Sequence, residues 1–439
     1  MFDRRTLLAG TLATLVAGPR HGLAALPHSV DVLIVGAGAA GIGAARRVVA
    51  VGRSCVVVEA GTRIGGRCVG DVDGFGPSCD LGAHRVRAAA ATPFPGLARQ
   101  LGIELRPIVG EETLRIGRRR AEDRELDAYS QGIEAFNQAI QEAGRRGIDV
   151  AAAEMLPRDL GSVADLVAFA VGPADCGKSL DHVSTLDLAR SREGTDRLVS
   201  GGYGAFLARL GEGLPITTGV TVTRIDRTGT RVAVETSAGS IEAGAVIVTA
   251  ATDVLARGAI RFDPPLPADQ EDALVGLSLG VRERVILEIP GNPFRFRDDE
   301  EVFFVRPGHH TMRLSAAVGG SDLVHADAGG SFAAELVAAG ERAMVDFAVS
   351  LLVESFGAQA RKAVARTRTT AWRREPLIGG SFSCAEPGHG DDRTILRRSL
   401  DGRVWLAGEA THPTLWGSVG GAFLEGERAA GEALAALPR

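Results

Sequence analysis

Gly36, Gly38 and Gly41 stand in GxGxxG spacing directly after the apolar, β-branched run Val32–Val35. In that context the spacing suits the binding of a pyrophosphate. Gly36 permits the tight turn and Gly38 lets the backbone approach the anion. Gly41 lets a helix over Ala39–Val51 pack closely on the strand, with Ala39 and Ala40 at an N-terminus that faces the phosphates. Glu59 closes a second strand, Ser54–Val58, and lies 21 residues after Gly38. A carboxylate there accepts hydrogen bonds from a ribose diol and repels a 2′-phosphate. After Ala60, the turn Gly61-Thr62-Arg63-Ile64-Gly65-Gly66-Arg67 brings two guanidiniums, Arg63 and Arg67, near the diphosphate charge.

These residues need a parallel sheet to hold them, and strand, turn, helix and second strand in that order make an α/β, Rossmann-type unit. A chain of 439 residues, 45% of them hydrophobic, is long enough for two domains or an interleaved pair. The net charge of −5 and 5% aromatic content give neither a basic field nor a stacking platform for nucleic acid. Cys55, Cys68, Cys79, Cys176 and Cys384 show no CxxC spacing, and no metal site is expected. His309 and His310 are adjacent after Pro307-Gly308 and read as part of a turn. Asp3-Arg4-Arg5-Thr6-Leu7-Leu8 opens an apolar run through Gly18, followed by the small residues Ala24 and Ala25. Residues 1–27 resemble a twin-arginine signal, which implies export of a folded protein to the periplasm. The run is shorter than the ~20 residues that cross a bilayer, so stable membrane insertion is not expected.

EAGTRIGGR, Glu59–Arg67, resembles the EAxxRxGGR signature of FAD enzymes in the glutathione-reductase-like superfamily, which makes FAD the expected cofactor. Asp80-Leu81-Gly82-Ala83-His84-Arg85 then resembles the DxGAxW element of the flavin-containing amine oxidases. The resemblance implies that this strip passes beside the isoalloxazine, with Gly82, Ala83 and His84 close to the ring. Arg85 stands where monoamine and polyamine oxidases carry Trp. GAHR is similar to the GAMR of L-amino-acid oxidases, which implies a carboxylate-binding Arg85. Pairing of Arg85 with a protein carboxylate or a flavin phosphate is the alternative.

The resemblance extends through both later thirds of the chain. Val222 falls where the family's backbone meets adenine, and Phe262-Asp263-Pro264-Pro265-Leu266-Pro267 matches its connector into the substrate domain. In Arg282-Glu283-Arg284-Val285-Ile286-Leu287, Arg284 occupies the family's Lys position, where Lys holds a water against the flavin. The substitution puts oxygen reactivity in doubt, and a salt-bridged strand residue is the other reading of Arg284. Gly380-Ser381-Phe382-Ser383 resembles GSYS, so that Phe382 becomes one wall of an aromatic cage. Ser381 removes the Cys used for covalent attachment, which implies non-covalent FAD. Gly408 and Glu409 match GEAT beside the ribityl chain and phosphate. Ser418 replaces the second cage aromatic, with Trp416 as a compensating wall, and Val419 and Ala422 begin the last helix, expected over Ala422–Leu437 and directed at the flavin.

The expected architecture is a glutathione-reductase-like FAD-binding domain, residues 28–90, 200–262 and 385–439, interleaved with an α+β substrate domain, residues 91–199 and 263–384. The expected reaction is oxidation of a C–N bond in an amine or amino acid, with Arg85, Arg284, Phe382, Trp416 and Ser418 as the catalytic candidates. Dioxygen or a periplasmic electron carrier would accept the electrons. A homodimer is compatible with the sequence. A desaturase or isomerase on the same fold, or a redox-silent FAD-binding partner or assembly protein, are the competing expectations.

Overall fold

The computed structural model describes residues 26–70, 74–76, 79–308 and 310–438. The arginine pair Arg4-Arg5, the rest of the expected leader through residue 25, and His309 lie outside the described residues.

Val32, Leu33 and Ile34 have no exposed surface, as a strand covered on both faces requires. The strand Ser29–Val35 runs parallel to Cys55–Glu59 on one side and to Gly239–Val248 on the other. Around this centre lies an eight-stranded sheet in the order 261–263, 222–226, 232–236, 239–248, 29–35, 55–59 and 216–218, with 404–406 also pairing with 239–248. The helix Ala39–Ala50 covers the sheet and packs along Val419–Ala436. The closeness of the first helix to its strand is set at Gly41. A Cβ built there would lie 1.9 Å from the Gly36 carbonyl oxygen, while Gly36 itself turns at φ +100°.

A second sheet of seven strands has the order 366–369, 282–288, 323–329, 313–316, 300–304, 112–116 and 119–120. The helices Gly330–Ala339 and Glu341–Phe356 pack against it. A third, three-stranded sheet joins Arg85–Val86, Arg197–Val199 and Leu105–Pro107. It stands where the chain passes between the two larger layers, and it carries the strip expected beside the flavin.

Several elements differ from the sequence reading, each for a nameable reason. The short strands expected over Ser240–Ala243 and Ala245–Ala250 are one strand, Gly239–Val248. Its first half pairs antiparallel with Val232–Thr236 and its second half pairs parallel with Val404–Leu406. The single helix expected over Ser331–Phe356 is broken at Gly340, whose φ of +99° ends one helix and begins the next. The mainly helical stretch expected from Ala91 to Val199 holds the long helix Asp123–Arg145, opened by a Glu122/Glu125 capping box. It also contributes Glu112–Ile116 to the second sheet, through parallel pairing with the distant Glu300–Phe304. The last helix begins at Val419 rather than Ala422. Ala273, Leu274 and Leu277 lie in the core of the first sheet, so the helix Ala268–Gly276 packs with the nucleotide layer, and the chain re-enters the second sheet at Arg282.

Gly41→Ala is the most economical test of this packing. The added methyl group meets backbone, which cannot rotate away. Overpacking of this kind costs about 1–3 kcal/mol. We expect a lower denaturation midpoint together with reduced cofactor content in the purified protein; a variant with wild-type values for both would show that the helix does not need this close approach.

Candidate active site

One cavity of about 900 Å³ runs from the first glycine turn to the second sheet, close to the upper end of the roughly 300–1,000 Å³ usual for ligand sites. Gly36, Gly38, Ala39, Ala40, Glu59, Ala60, Arg63, Gly65, Gly66, Arg67, Val222, Gly408, Val419 and Ala422 all line it. Gly41 does not, because it is spent on the helix–turn contact. The helix Ala39–Ala50 has no side-chain cap. Among the described residues the N–H groups of Gly38, Ala39 and Ala40 have no acceptor, as an anion site requires. Glu59 has a second task beyond the sequence reading. Its two oxygens accept from the N–H groups of Ala37 and Gly61, each at 2.7 Å, so it also fastens the two glycine turns together. The Arg63 guanidinium turns onto the carbonyl oxygens of Ile64 and Gly66.

Arg67 reaches across the cavity to Glu409 at 2.9 Å and to the Ser381 carbonyl at 2.8 Å. The buried Glu409 also accepts from the Ser383 N–H and hydroxyl and from the Gly417 N–H. Burial alone would raise its pKa, but Arg67, Ser383 and Arg393 outweigh burial and hold it below the usual carboxylate range. Ser383 passes the network to Arg393, which makes a bidentate pair with Asp187 at 2.6 and 2.7 Å. None of this network beyond Glu409 is expected from motifs.

The strip 80–85 is held from the second sheet. All five N–H groups of Arg284 face a partner within 3.1 Å: both oxygens of Asp327, the carbonyls of Asp80 and Gly82, and Nδ1 of His84. Arg284 and Asp327 are directly opposite across paired strands, and the pair is buried, with side chains 6% and 2% exposed. Arg284 is therefore the salt-bridged strand residue of the two readings. It positions the strip, and four of its five N–H groups are committed to Asp327 and to the carbonyls of Asp80 and Gly82. His84 lies between Arg284 and Arg85, and burial together with these two cations keeps its pKa well below the imidazole range. Gly82 has no room for a side chain, since a Cβ would stand 1.9 Å from the Arg67 carbonyl oxygen. Arg85 gives Nη2 to Glu301 at 2.9 Å, and its Nε stands 3.1 Å from Nε2 of His84, whose neutral ring accepts from Arg284 or from Arg85 but not from both. The partner of Arg85 in the structure is a protein carboxylate, the alternative that the sequence left open.

Phe382 and Ser418 line the cavity, with Phe382 packed against Gly417. Ser418 is the N-cap of the last helix, accepting from Gly421 N–H at 2.9 Å and donating to the Leu415 carbonyl at 2.6 Å. The N–H groups of Val419 and Gly420 have no acceptor among the described residues. Trp416, expected as a compensating wall, is only 3% exposed and sits in an apolar cluster with Phe169 and Cys384, under the Arg393 guanidinium at 4.7 Å. It packs the core and does not reach the cavity.

The wall remote from the glycine turns carries residues that no motif marks: Arg87, Glu112, Asp175, Arg282, Arg313 and Asp327. Arg282 and Arg284, two apart on one strand, turn to the same face and share Asp327. Asp175 projects from a π-helical turn, Ala170–Cys176, that contains Pro173. Proline cannot donate within an α-helix, so the turn widens and presents Asp175, 63% exposed, to the cavity interior.

The sequence profile of the flavin containing amine oxidoreductases matches residues 39–434. Mouse lysine-specific histone demethylase 1B is 29% identical over 468 aligned residues, covering 98% of this chain and 56% of that protein. Human lysine-specific histone demethylase 2 is 28% identical, covering 92% and 53%. The chain thus spans about half the length of the curated relatives it matches. Among solved structures, putrescine oxidase bound to putrescine aligns with a TM-score of 0.78 at 19% identity, over 93% of this chain and 99% of that one. Cyclohexylamine oxidase from Brevibacterium oxydans IH-35A aligns at 0.76 and 21% identity, over 93% and 100%. The fold is the one these structures share.

Glu409 offers a test of the site's frame. Replacing it by Gln leaves Arg67 facing a neutral amide, and breaking a buried pair costs about 3–5 kcal/mol. Because the folded-state pKa of Glu409 lies below the unfolded value, its stabilisation is full above the unfolded pKa and is lost as pH falls through the folded one. Glu409→Gln should therefore be destabilised at pH 7 in urea unfolding, and its deficit relative to wild type should shrink below about pH 4. A deficit independent of pH would assign the loss to packing.

Proposed function

The chain belongs to the flavin-containing amine oxidoreductase family, its cofactor is FAD, and from this we propose that it oxidises an amine at a C–N bond to an imine that water hydrolyses. The observation that carries the reading is the meeting of two helix N-termini, with free N–H groups at 38–40 and 419–420, on one cavity whose other end is built for a small polar molecule. Those donors suit the two places on FAD that bear negative charge, the pyrophosphate and the pyrimidine edge of the ring. When bound, FAD accepts the hydride from the carbon next to nitrogen.

The protein's part is positional. Glu59 holds both glycine turns at the distance a dinucleotide needs. Arg284 and Asp327 fix the 80–84 strip, and Glu409 fixes Arg67 against Ser381–Ser383. Phe382 supplies an apolar wall that desolvates the reacting amine, which must be unprotonated to give up a hydride. Neutral His84 and Ser418, its hydroxyl already donated to Leu415, leave no strong acid beside that amine. A cofactor held without a covalent bond follows from Ser381, whose hydroxyl donates to the Gly280 carbonyl at 2.8 Å. We propose further that residues 1–27 direct export to the periplasm, where an electron carrier could replace dioxygen. N-terminal sequencing of the secreted protein tests the export.

Two outcomes are expected. Acid precipitation should release all the flavin into the supernatant as FAD, and anaerobic addition of substrate amines should bleach it. Flavin that no amine bleaches, yet that reduces under light, would instead support a redox-silent partner protein. Because Arg284 commits its donors to Asp327 and to the 80–82 carbonyls rather than to a water, reduced enzyme should react slowly with dioxygen and rapidly with a one-electron acceptor. Arg284→Lys, if it retains FAD, should speed reoxidation by dioxygen roughly tenfold, about 1.4 kcal/mol. Equal stopped-flow rates would remove this position from the oxidative half-reaction.

A further inference from the structure

The charged wall of the cavity is unevenly paired. Arg87 lines the cavity and acts on Asp175, yet among the described residues it has no hydrogen-bond acceptor and no ion-pair partner. The guanidiniums around it are accounted for. Arg85 is held by Glu301 and His84, and Arg284 faces five partners. Arg313 binds Asp175 at 2.9 Å and stands 3.5 Å from Glu301. Arg282 pairs with Asp327 at 2.6 Å, but that carboxylate already serves Arg284, so one negative charge answers two positive ones. Burial, with repulsion from Arg313 and Arg284, lowers the Arg282 pKa to about 10.

None of the other carboxylates on this wall pairs with Arg87 or gives Arg282 a second partner. Asp196 gives an oxygen to the Ala88 N–H, and Asp175 is taken by Arg313. The Glu112 carboxylate makes no hydrogen bond among the described residues, and burial with repulsion from Glu301 moves its pKa up, toward the uncharged acid. Cationic capacity at Arg87 and Arg282 is thus left for something other than the protein.

We propose that Arg87, with Arg282 lining the same cavity, receives a carboxylate carried by the amine substrate and is the residue that selects acidic substrates over plain amines. The proposal rests on the oxidase reading and deepens it. A guanidinium with all its donors unused is the best available receptor for a planar carboxylate, because two parallel N–H groups match its two oxygens. Arg85 already holds Glu301 with Nη2 and faces His84 with Nε, whereas Arg87 has no protein partner among the described residues.

The test uses FAD-loaded enzyme and three substrate sets under anaerobic conditions: leucine with 3-methylbutylamine, 6-aminohexanoate with hexylamine, and 1,4-diaminobutane. The first two pairs separate a carboxylate beside the amine from one at a distance. We expect the acid of one pair to exceed its decarboxylated partner in kcat/KM, and Arg87→Gln to reduce that acid-to-amine ratio by roughly thirtyfold or more, with partial recovery in Arg87→Lys. Benzoate titration, followed by the flavin absorbance, gives a readout independent of turnover, and its Kd should rise by a similar factor in Arg87→Gln. FAD content shows whether each variant folds. An unchanged ratio and unchanged benzoate affinity would overturn the proposal, as would a preference for 1,4-diaminobutane that is lost in Glu112→Gln. If no substrate of any set bleaches the flavin, the oxidase reading fails, and the benzoate titration alone still decides whether Arg87 holds an anion.

Discussion

The buried carboxylate of Glu409 is the constraint on which the cofactor end of this molecule depends. It gathers Arg67 from the nucleotide unit, Ser383 from the segment returning from the second sheet, and Gly417 from the approach to the last helix. These stretches are far apart in the chain, and each borders the same cavity. An isolated carboxylate would cost several kcal/mol to bury, so its position is stable only when all three partners arrive. Ser383 then hands the network to Arg393 and Asp187, which ties in the helix Thr185–Arg190. The site is in this sense assembled by charge satisfaction across segments, and local helix or strand preference has little part in it.

A comparable logic operates on the second sheet with the opposite balance. Asp327 holds two arginines on the neighbouring strand, and Arg284 in turn fixes two backbone carbonyls of the strip at the cavity's centre. In the first network Arg67 gives Nη1 to both Glu409 and the Ser381 carbonyl, and Arg393 engages all three of its nitrogens. The second network shares one carboxylate between two guanidiniums, both of which border the cavity.

What the sequence revealed and what it concealed divide along the same line. The first nucleotide unit was legible because each of its signals is local: apolar run, glycine spacing, helix, terminal Glu59. The strand and helix near the C-terminus were legible for the same reason, apart from a start displaced by one turn. Arg284 could be found by position but not by role, since its role depends on Asp327, which no motif marks. Arg87, Asp175 and Arg313 were missed because their cavity exists only after three sheets come together. Trp416 was misread because a buried indole under Arg393 and one facing a ligand have the same sequence surroundings. Gly340 carries its message in φ, which spacing does not report.

The interleaving of the two layers has a consequence for how this chain reaches its native state. The sheet built on Ser29–Val35 draws its strands from residues 29–59, 216–263 and 404–406, and the second sheet draws its own from 112–120 and 282–369. Neither layer is a continuous stretch of chain. A ribosome that has released two thirds of the polypeptide has supplied neither sheet in full, because Val404–Leu406 and Arg366–Thr369 are still to come. Folding of such a topology is dominated by distant pairings and is slow for its size. The nascent chain must therefore stay soluble with both hydrophobic faces uncovered until synthesis is nearly complete. Stability, once gained, belongs to the whole: a cut in the loops between residues 145 and 200 leaves both fragments threaded through both large sheets.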